Sequence, residues 1–222
     1  MNNTRCLLFD LDGTLLDSRE PIVDAVYVTV QEYLPGMFTR EEILRRFGES
    51  FDEFFQRISL ELSSGVTREQ FFNTYLDYMK FYHSEKLKLF PFVREGLEHL
   101  KLSGCQLGIV TNKQRELAIK GLQSENILNI FDTIITLDDV TTGKPSPEPI
   151  IKAMDFLGVG PDQTIMVGDS RYDLLAARAA RVKSVILDWY GHEKWQEPLP
   201  DYRFSNFQQF FEKLHMYTRS VS

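Results

Sequence analysis

Apolar residues along this chain follow two different rhythms. Short runs lacking polar alternation recur at 5–9 (RCLLF), Gln106–Thr111 (QLGIVT), Thr133–Leu137 (TIITL), Thr164–Val167 (TIMV) and Ser184–Leu187 (SVIL). Most carry β-branched residues, which predicts strands covered on both faces, as in a parallel sheet. Helical spacing separates them: Val93, Leu97 and Leu100; Leu117 to Leu122; Ile150 to Leu157; and the alanine-rich Leu174 to Ala180. Strand and helix in alternation predict an α/β core of Rossmann-like, three-layer form with a parallel, right-handed sheet.

From 18 to 90 the rhythm changes, and only helical patterns are found. Ile22, Ala25, Val26 and Val30 line one face of a first helix. Thr39 with Glu42 has the signature of a capping box, followed by Ile43, Leu44 and Phe47, with Gly48 as the stop. Phe51, Phe54, Phe55, Ile58 and Leu62 continue at helical spacing, and Thr67 with Gln70 opens a further helix through Phe72, Tyr75, Leu76 and Met79. The aromatic stripes read as the core of a helical bundle. The expected organisation is an α/β core domain of residues 1–17 and 91–222, interrupted by a helical cap domain at 18–90. After the last core strand, Pro198–Pro200 reads as a loop. A short amphipathic helix with Phe207, Phe210, Phe211 and Leu214 follows it.

Composition narrows the function classes. A net charge of −7 over 222 residues, with no block of Lys or Arg, argues against a nucleic-acid surface. Phosphorylated ligands must then be held by local groups. Cys6 and Cys105 read as buried, reduced thiols. No apolar run approaches membrane-spanning length, and the first residues enter a strand without a signal-like segment, so the expected location is the cytoplasm.

The candidate chemistry is acidic. Asp10-Leu11-Asp12-Gly13-Thr14 follows the first strand, and in extended chain residues two apart face the same side. A second group, Gly168-Asp169-Ser170-Arg171-Tyr172-Asp173, follows the Thr164–Val167 run. Both groups lie at carboxyl ends of predicted parallel strands, where such sheets bind ligands. If those strands are neighbours, Asp10, Asp12, Asp169 and Asp173 converge. Two like charges about 4 Å apart repel by roughly 4 kcal/mol at an effective dielectric near 20. Such a set calls for a cation or for strongly raised pKa values, and an all-oxygen site suits Mg²⁺. Taken singly, each aspartate is more often a helix cap or a turn former. The pairing of two groups, each with an adjacent glycine, favours the site.

Thr111 and Asn112, ending the second core strand, offer neutral donors for phosphoryl oxygens, though a plain helix cap fits them as well. Lys144 lies in Gly143-Lys144-Pro145-Ser146-Pro147, where two prolines stiffen the loop. These parts fit phosphoryl transfer, which needs an in-line nucleophile, positive charge on the phosphoryl oxygens and proton delivery to the leaving oxygen. Asp10 is the candidate nucleophile and Asp12 the acid/base, with Mg²⁺ and Lys144 neutralising charge.

FDLDGTLLDS, IVTN, Lys144 in GKPSP, and GDSRYD occur in the order of the four motifs of the haloacid dehalogenase superfamily. The chain resembles that superfamily over nearly its whole length. VTNK, FDTIITLDDV, KPSPEPI and MVGDS are most similar to its phosphoglycolate phosphatase group and that group's pyrophosphate-hydrolysing relatives. The resemblance implies a Mg²⁺-dependent phosphatase acting on a small phosphorylated metabolite through an aspartyl-phosphate, under a helical cap that closes to exclude water. It implies Asp10 as nucleophile and metal ligand, Asp12 as acid/base and backbone ligand of the metal, and Thr111, Asn112 and Lys144 as phosphate binders. Asp169 would be a metal ligand and Asp173 a more distant one, reaching the metal through water. Dehalogenases of the superfamily lack the second aspartate, present here as Asp12. An inorganic pyrophosphatase, a sugar-phosphate mutase and a noncatalytic binder of phosphate ligands are the alternatives. Substrate choice falls to the cap, where Arg45, Arg46, Glu49 and Ser50 flank Gly48 and could reach the active site, a solvated helix end being the favoured reading. Trp189, Tyr190 and Trp195, after the last core strand, read as packing residues. His83, His99, His192 and His215 are scattered and read as surface or packing groups.

Overall fold

The computed structural model describes residues 4–47, 51–62, 65–191 and 198–219. Its elements in chain order begin with β1 (Cys6–Phe9), β2 (Leu16–Asp17), α1 (Arg19–Tyr33), α2 (Arg40–Leu44), α3 (Phe51–Ile58), α4 (Arg68–Lys86) and β3 (Lys88–Leu89). There follow α5 (Val93–Leu102), β4 (Gln106–Val110), α6 (Arg115–Ser124), β5 (Thr133–Ile135), α7 (Glu148–Leu157) and β6 (Thr164–Gly168). The chain closes with α8 (Arg171–Ala179), β7 (Lys183–Leu187), β8 (Tyr202–Phe204) and α9 (Phe207–Arg219). Two units result, residues 1–17 with 88–222, and residues 18–87.

In the first unit six strands run parallel in the order β5-β4-β1-β6-β7-β8. The first strand lies at the centre, with Phe9 opposite both Ile109 of β4 and Val167 of β6. Asp10, Thr111 and Asp169 therefore leave three adjacent strands at one edge of the sheet, where the crevice of such a fold lies. The period of two in β1 sends Cys6 and Leu8 into a core with Ile150, Ala153 and Met154 of α7 and Ala176 and Ala177 of α8. Phe9 faces the opposite side, stacked on Phe207 of α9 at 5.9 Å. Cover on both faces explains why these runs lack polar alternation.

All five expected strands form, and a sixth, β8, occurs where loop is expected. It pairs with β7 at the sheet edge. Asp201 pins it by accepting the backbone N–H and the hydroxyl of Ser184, each at 2.9 Å. Arg203 adds an ion pair with Asp188. No strand is expected between 18 and 90, yet Lys88–Leu89 pair antiparallel with Leu16–Asp17. Both cysteines are free, Cys6 buried and Cys105 half-buried. Burial pushes the Cys6 thiol up to about 12.

The second unit is helical. Val23, Val30, Ile43, Phe54, Ile58 and Phe71 form its core, with the Phe71 ring 5.4 Å from Tyr33 and 5.8 Å from Phe55. Both expected capping boxes form, Thr39 with Glu42 and Thr67 with Gln70, so orphan N–H groups at two helix starts are satisfied locally. On α1 the buried stripe holds Val23 where Ile22 is expected. Val23 and Val30 lie two turns apart on one face. The expected stop at Gly48 falls outside the described residues. Among these, no helix is long and apolar enough to cross a membrane.

Candidate active site

Lys144 is the centre of the cluster at the strand ends. Its ammonium donates to Asp10 Oδ1 at 2.6 Å, Asp173 Oδ1 at 2.7 Å and the Val110 carbonyl at 2.9 Å. An ammonium has three protons, so all are committed. The residue is only 6% exposed. Burial alone would lower its pKa, but Asp10 and Asp173 outweigh that and raise it, keeping the ammonium charged.

Carboxylate oxygens of Asp10, Asp169 and Asp173 lie within 4.8 Å of one another. Three carboxylates thus face one ammonium, an excess of two negative charges if all are ionised. Burial pushes the Asp10 carboxyl up to about 6; Lys144 opposes the rise, while Asp173 and Asp12 add to it. Asp169 is pushed well above the usual carboxylate range, by burial first and then by Asp10 and Asp173. Asp173 opens α8 as a capping-box residue, its Oδ2 accepting the Ser170 N–H at 3.0 Å and hydroxyl at 2.6 Å. Both its oxygens are thereby engaged. Asp169 accepts only the Thr14 hydroxyl, at 3.1 Å on Oδ1, among the described residues. Two glycines make the crowding possible. A Cβ on Gly13, whose φ is +78°, would stand 2.3 Å from Asp169 Oδ2, and one on Gly168 would stand 2.3 Å from the Asp173 carboxyl carbon.

Asp12 does not join this cluster through its carboxylate. Both its oxygens accept from the Lys113 ammonium, at 2.8 and 2.7 Å. Lys113 received no separate role from the sequence, where it stands as the last residue of VTNK, directly after Thr111-Asn112 at a strand end. Thr111 is buried at the end of β4, and its hydroxyl oxygen accepts the Lys113 N–H at 3.2 Å. The Asn112 amide meets the backbone of Lys144 twice: Oδ1 accepts its N–H and Nδ2 donates to its carbonyl, each at 2.8 Å. Asn112 is thus a brace for the Lys144 loop. Glu148 fixes the same loop by accepting the N–H groups of Thr141 and Thr142 at 2.8 and 2.9 Å.

Trp189 and Tyr190 support the first acidic loop. The Trp189 ring stacks on Phe90 at 4.2 Å and its Nε1 donates to the Thr14 carbonyl at 3.1 Å. The Tyr190 hydroxyl donates to Asp17 at 2.6 Å. In the helical unit Arg45 is exposed, and the Arg46 guanidinium lies 5.8 Å from the centre of the Phe38 ring. Glu49, Ser50, His192 and Trp195 lie outside the described residues, as do the side chains of His83 and His215. His99 packs edge-on to Phe211 with ring centres 5.7 Å apart.

The family model described as haloacid dehalogenase-like hydrolase matches residues 7–187. A pyrophosphatase PpaX of Bacillus velezensis is 38% identical over 198 residues, covering 88% of this chain and 89% of that one. A solved structure from Bacteroides fragilis, provisionally named a haloacid dehalogenase-like hydrolase, superposes with a TM-score of 0.83. It has 28% identity and covers 93% of this chain and 99% of its own. A Lactobacillus plantarum structure provisionally named phosphoglycolate phosphatase shares the fold, with a TM-score of 0.82 at 23% identity over 95% of this chain and 99% of its own. The chain belongs to the haloacid dehalogenase-like hydrolase family and is an enzyme of its phosphatase class.

Proposed function

We propose that this hydrolase is a Mg²⁺-dependent, cytoplasmic phosphatase of small phosphorylated metabolites, working through an aspartyl-phosphate on Asp10. The observation that carries the reading is the cluster of Asp10, Asp169 and Asp173 around Lys144, with its excess of negative charge. Its donors are all carboxylate oxygens, with no thiolate or imidazole among them, which fits Mg²⁺. Asp10 and Asp169 are the residues to hold the ion, with the backbone carbonyl of Asp12; Asp173, engaged through both oxygens, would reach it through water. When bound, the ion supplies positive charge to the phosphoryl oxygens.

The residues divide the remaining work. In the first half, an oxygen of Asp10 forms a bond to phosphorus as the bond to the leaving oxygen breaks, and Asp12 gives that oxygen a proton. In the second, water attacks the phosphorus, Asp12 takes the water's proton, and the bond to Asp10 breaks. Lys144 holds Asp10 in place and shares its charge with the transferred group. The Thr111 hydroxyl, whose proton is not used by the Lys113 N–H, donates to a phosphoryl oxygen. Asn112 acts through Lys144, keeping that loop in register.

A monoester of the phosphoglycolate kind is the first substrate reading. Pyrophosphate is the second, favoured by the 38% identity to the Bacillus velezensis pyrophosphatase. Initial rates of phosphate release from phosphoglycolate, pyrophosphate, sugar phosphates and nucleotides, each with Mg²⁺ and again with EDTA, test both. Turnover that stops in EDTA and returns with Mg²⁺ is expected. Undiminished turnover in chelator removes the metal. Isomer formation without net phosphate release makes the enzyme a mutase, and binding without turnover makes it a noncatalytic binder.

A further inference from the structure

We infer that Lys113 is a specificity-determining residue that selects substrates whose leaving group is itself an anion. The inference rests on the phosphatase reading above, in which Asp12 meets the oxygen that departs with the leaving group. Lys113 stands beside that point. Its ammonium lies 2.7 and 2.8 Å from the two Asp12 oxygens, and its side chain is 6% exposed. Its backbone is fixed on both sides, the N–H donating to Thr111 Oγ1 and the carbonyl accepting the Leu137 N–H, each at 3.2 Å. A long cation held this way does not wander as a surface lysine does.

Charge and proton count then point to a ligand. Two of the three ammonium protons go to Asp12, and the third has no acceptor among the described residues. Any group hydrogen-bonded to Asp12 is therefore within reach of a second, cationic donor. Lys144 supplies a cation on the side of Asp10, and Lys113 supplies one on the side of Asp12. A neutral alcohol gains little from such a neighbour. A carboxylate or phosphate next to the departing oxygen gains a charge-assisted hydrogen bond in a water-poor place, where such bonds are strongest. Phosphoglycolate and pyrophosphate both carry that second anion. Bond changes at phosphorus are the same for either class; only the recognition of the departing part differs.

A matched pair of substrates isolates this effect. Phosphoglycolate and 2-hydroxyethyl phosphate have the same two-carbon skeleton, ending in a carboxylate in one and a neutral hydroxyl in the other. We expect the enzyme to prefer phosphoglycolate in kcat/KM, and Lys113→Met to shrink that preference by about 10- to 100-fold. Lys113→Arg should restore most of it. Because the readout is a ratio, any general loss from disturbing Asp12 cancels. An unchanged ratio in Lys113→Met, or no preference for phosphoglycolate in the unaltered enzyme, overturns the inference. Asp10→Asn and Asp12→Asn separate the levels. Full turnover in those variants sinks the Asp10–Asp12 mechanism on which the inference rests, whereas their inactivity beside an unchanged ratio in Lys113→Met sinks only the role of Lys113.

Discussion

Replacing Lys144 with methionine keeps most of the length of the side chain and removes its charge, taking from three acceptors the donor they share. These are Asp10 Oδ1, Asp173 Oδ1 and the Val110 carbonyl, and both aspartates are buried. Removing one partner of a buried ion pair costs about 3–5 kcal/mol, because the remaining charge stays desolvated. For a chain of this size that is roughly 6–20 °C in Tm. The loss should also depend on pH, with a sign that follows from Asp10. Its carboxyl is raised from 3.8 to about 6 even with Lys144 opposing the rise. Without Lys144 it climbs further. An acid whose pKa is raised on folding contributes stability that is present below its unfolded pKa and lost as pH rises through the folded one. The deficit of Lys144→Met should therefore be larger near pH 7.5 than near pH 5, where Asp10 is neutral and needs no partner. Urea unfolding followed by circular dichroism, in EDTA at both pH values, measures it. A deficit under about 1 kcal/mol, or one equal at the two pH values, would mean that the buried Asp10 carboxylate does not depend on Lys144.

Three further outcomes follow from the same geometry. Asn112→Ala removes both hydrogen bonds to the Lys144 backbone and should cost about 2 kcal/mol in unfolding experiments, with kcat reduced in parallel; unchanged kcat would mean the brace is dispensable. Gly13→Ala places a Cβ 2.3 Å from Asp169 Oδ2 at a φ of +78°, so calorimetry should find Mg²⁺ affinity at least about tenfold weaker. Undiminished affinity would show that Asp169 is not a ligand. Mg²⁺ should raise the Tm more near pH 7.5 than near pH 5, because the ion must displace a proton from Asp10, whose carboxyl titrates at about 6. Scanning calorimetry reads this directly, and equal gains at both pH values would argue for an ion bound elsewhere.

The strands that build the site were legible because burial on both faces leaves an uninterrupted apolar run, as in β1, β4 and β6. The capping boxes were legible because their partners are three residues apart. The edge strand β8 was not, since Tyr202, Arg203 and Phe204 are held mainly by backbone pairing and by carboxylates elsewhere in the chain. Convergence of Asp10 and Asp169 followed from strand order, once β1 and β6 are neighbours. The partner of Asp12 could not be foreseen: Lys113 is 101 positions away, and nothing in local spacing joins them. The same holds for Asn112. Its amide suggests a phosphate donor in isolation, and only the fold brings it 2.8 Å from both backbone groups of Lys144.

The most direct test of the account is chemical capture of the phosphorylated enzyme. Enzyme mixed with Mg²⁺ and phosphorylated substrate, quenched in acid during turnover and digested, should yield one peptide carrying phosphate on Asp10. The label should be absent from Asp10→Asn, which should also be inactive while folded. Turnover with no phosphate on residue 10, or an Asp10→Asn variant that hydrolyses at the normal rate, would contradict it.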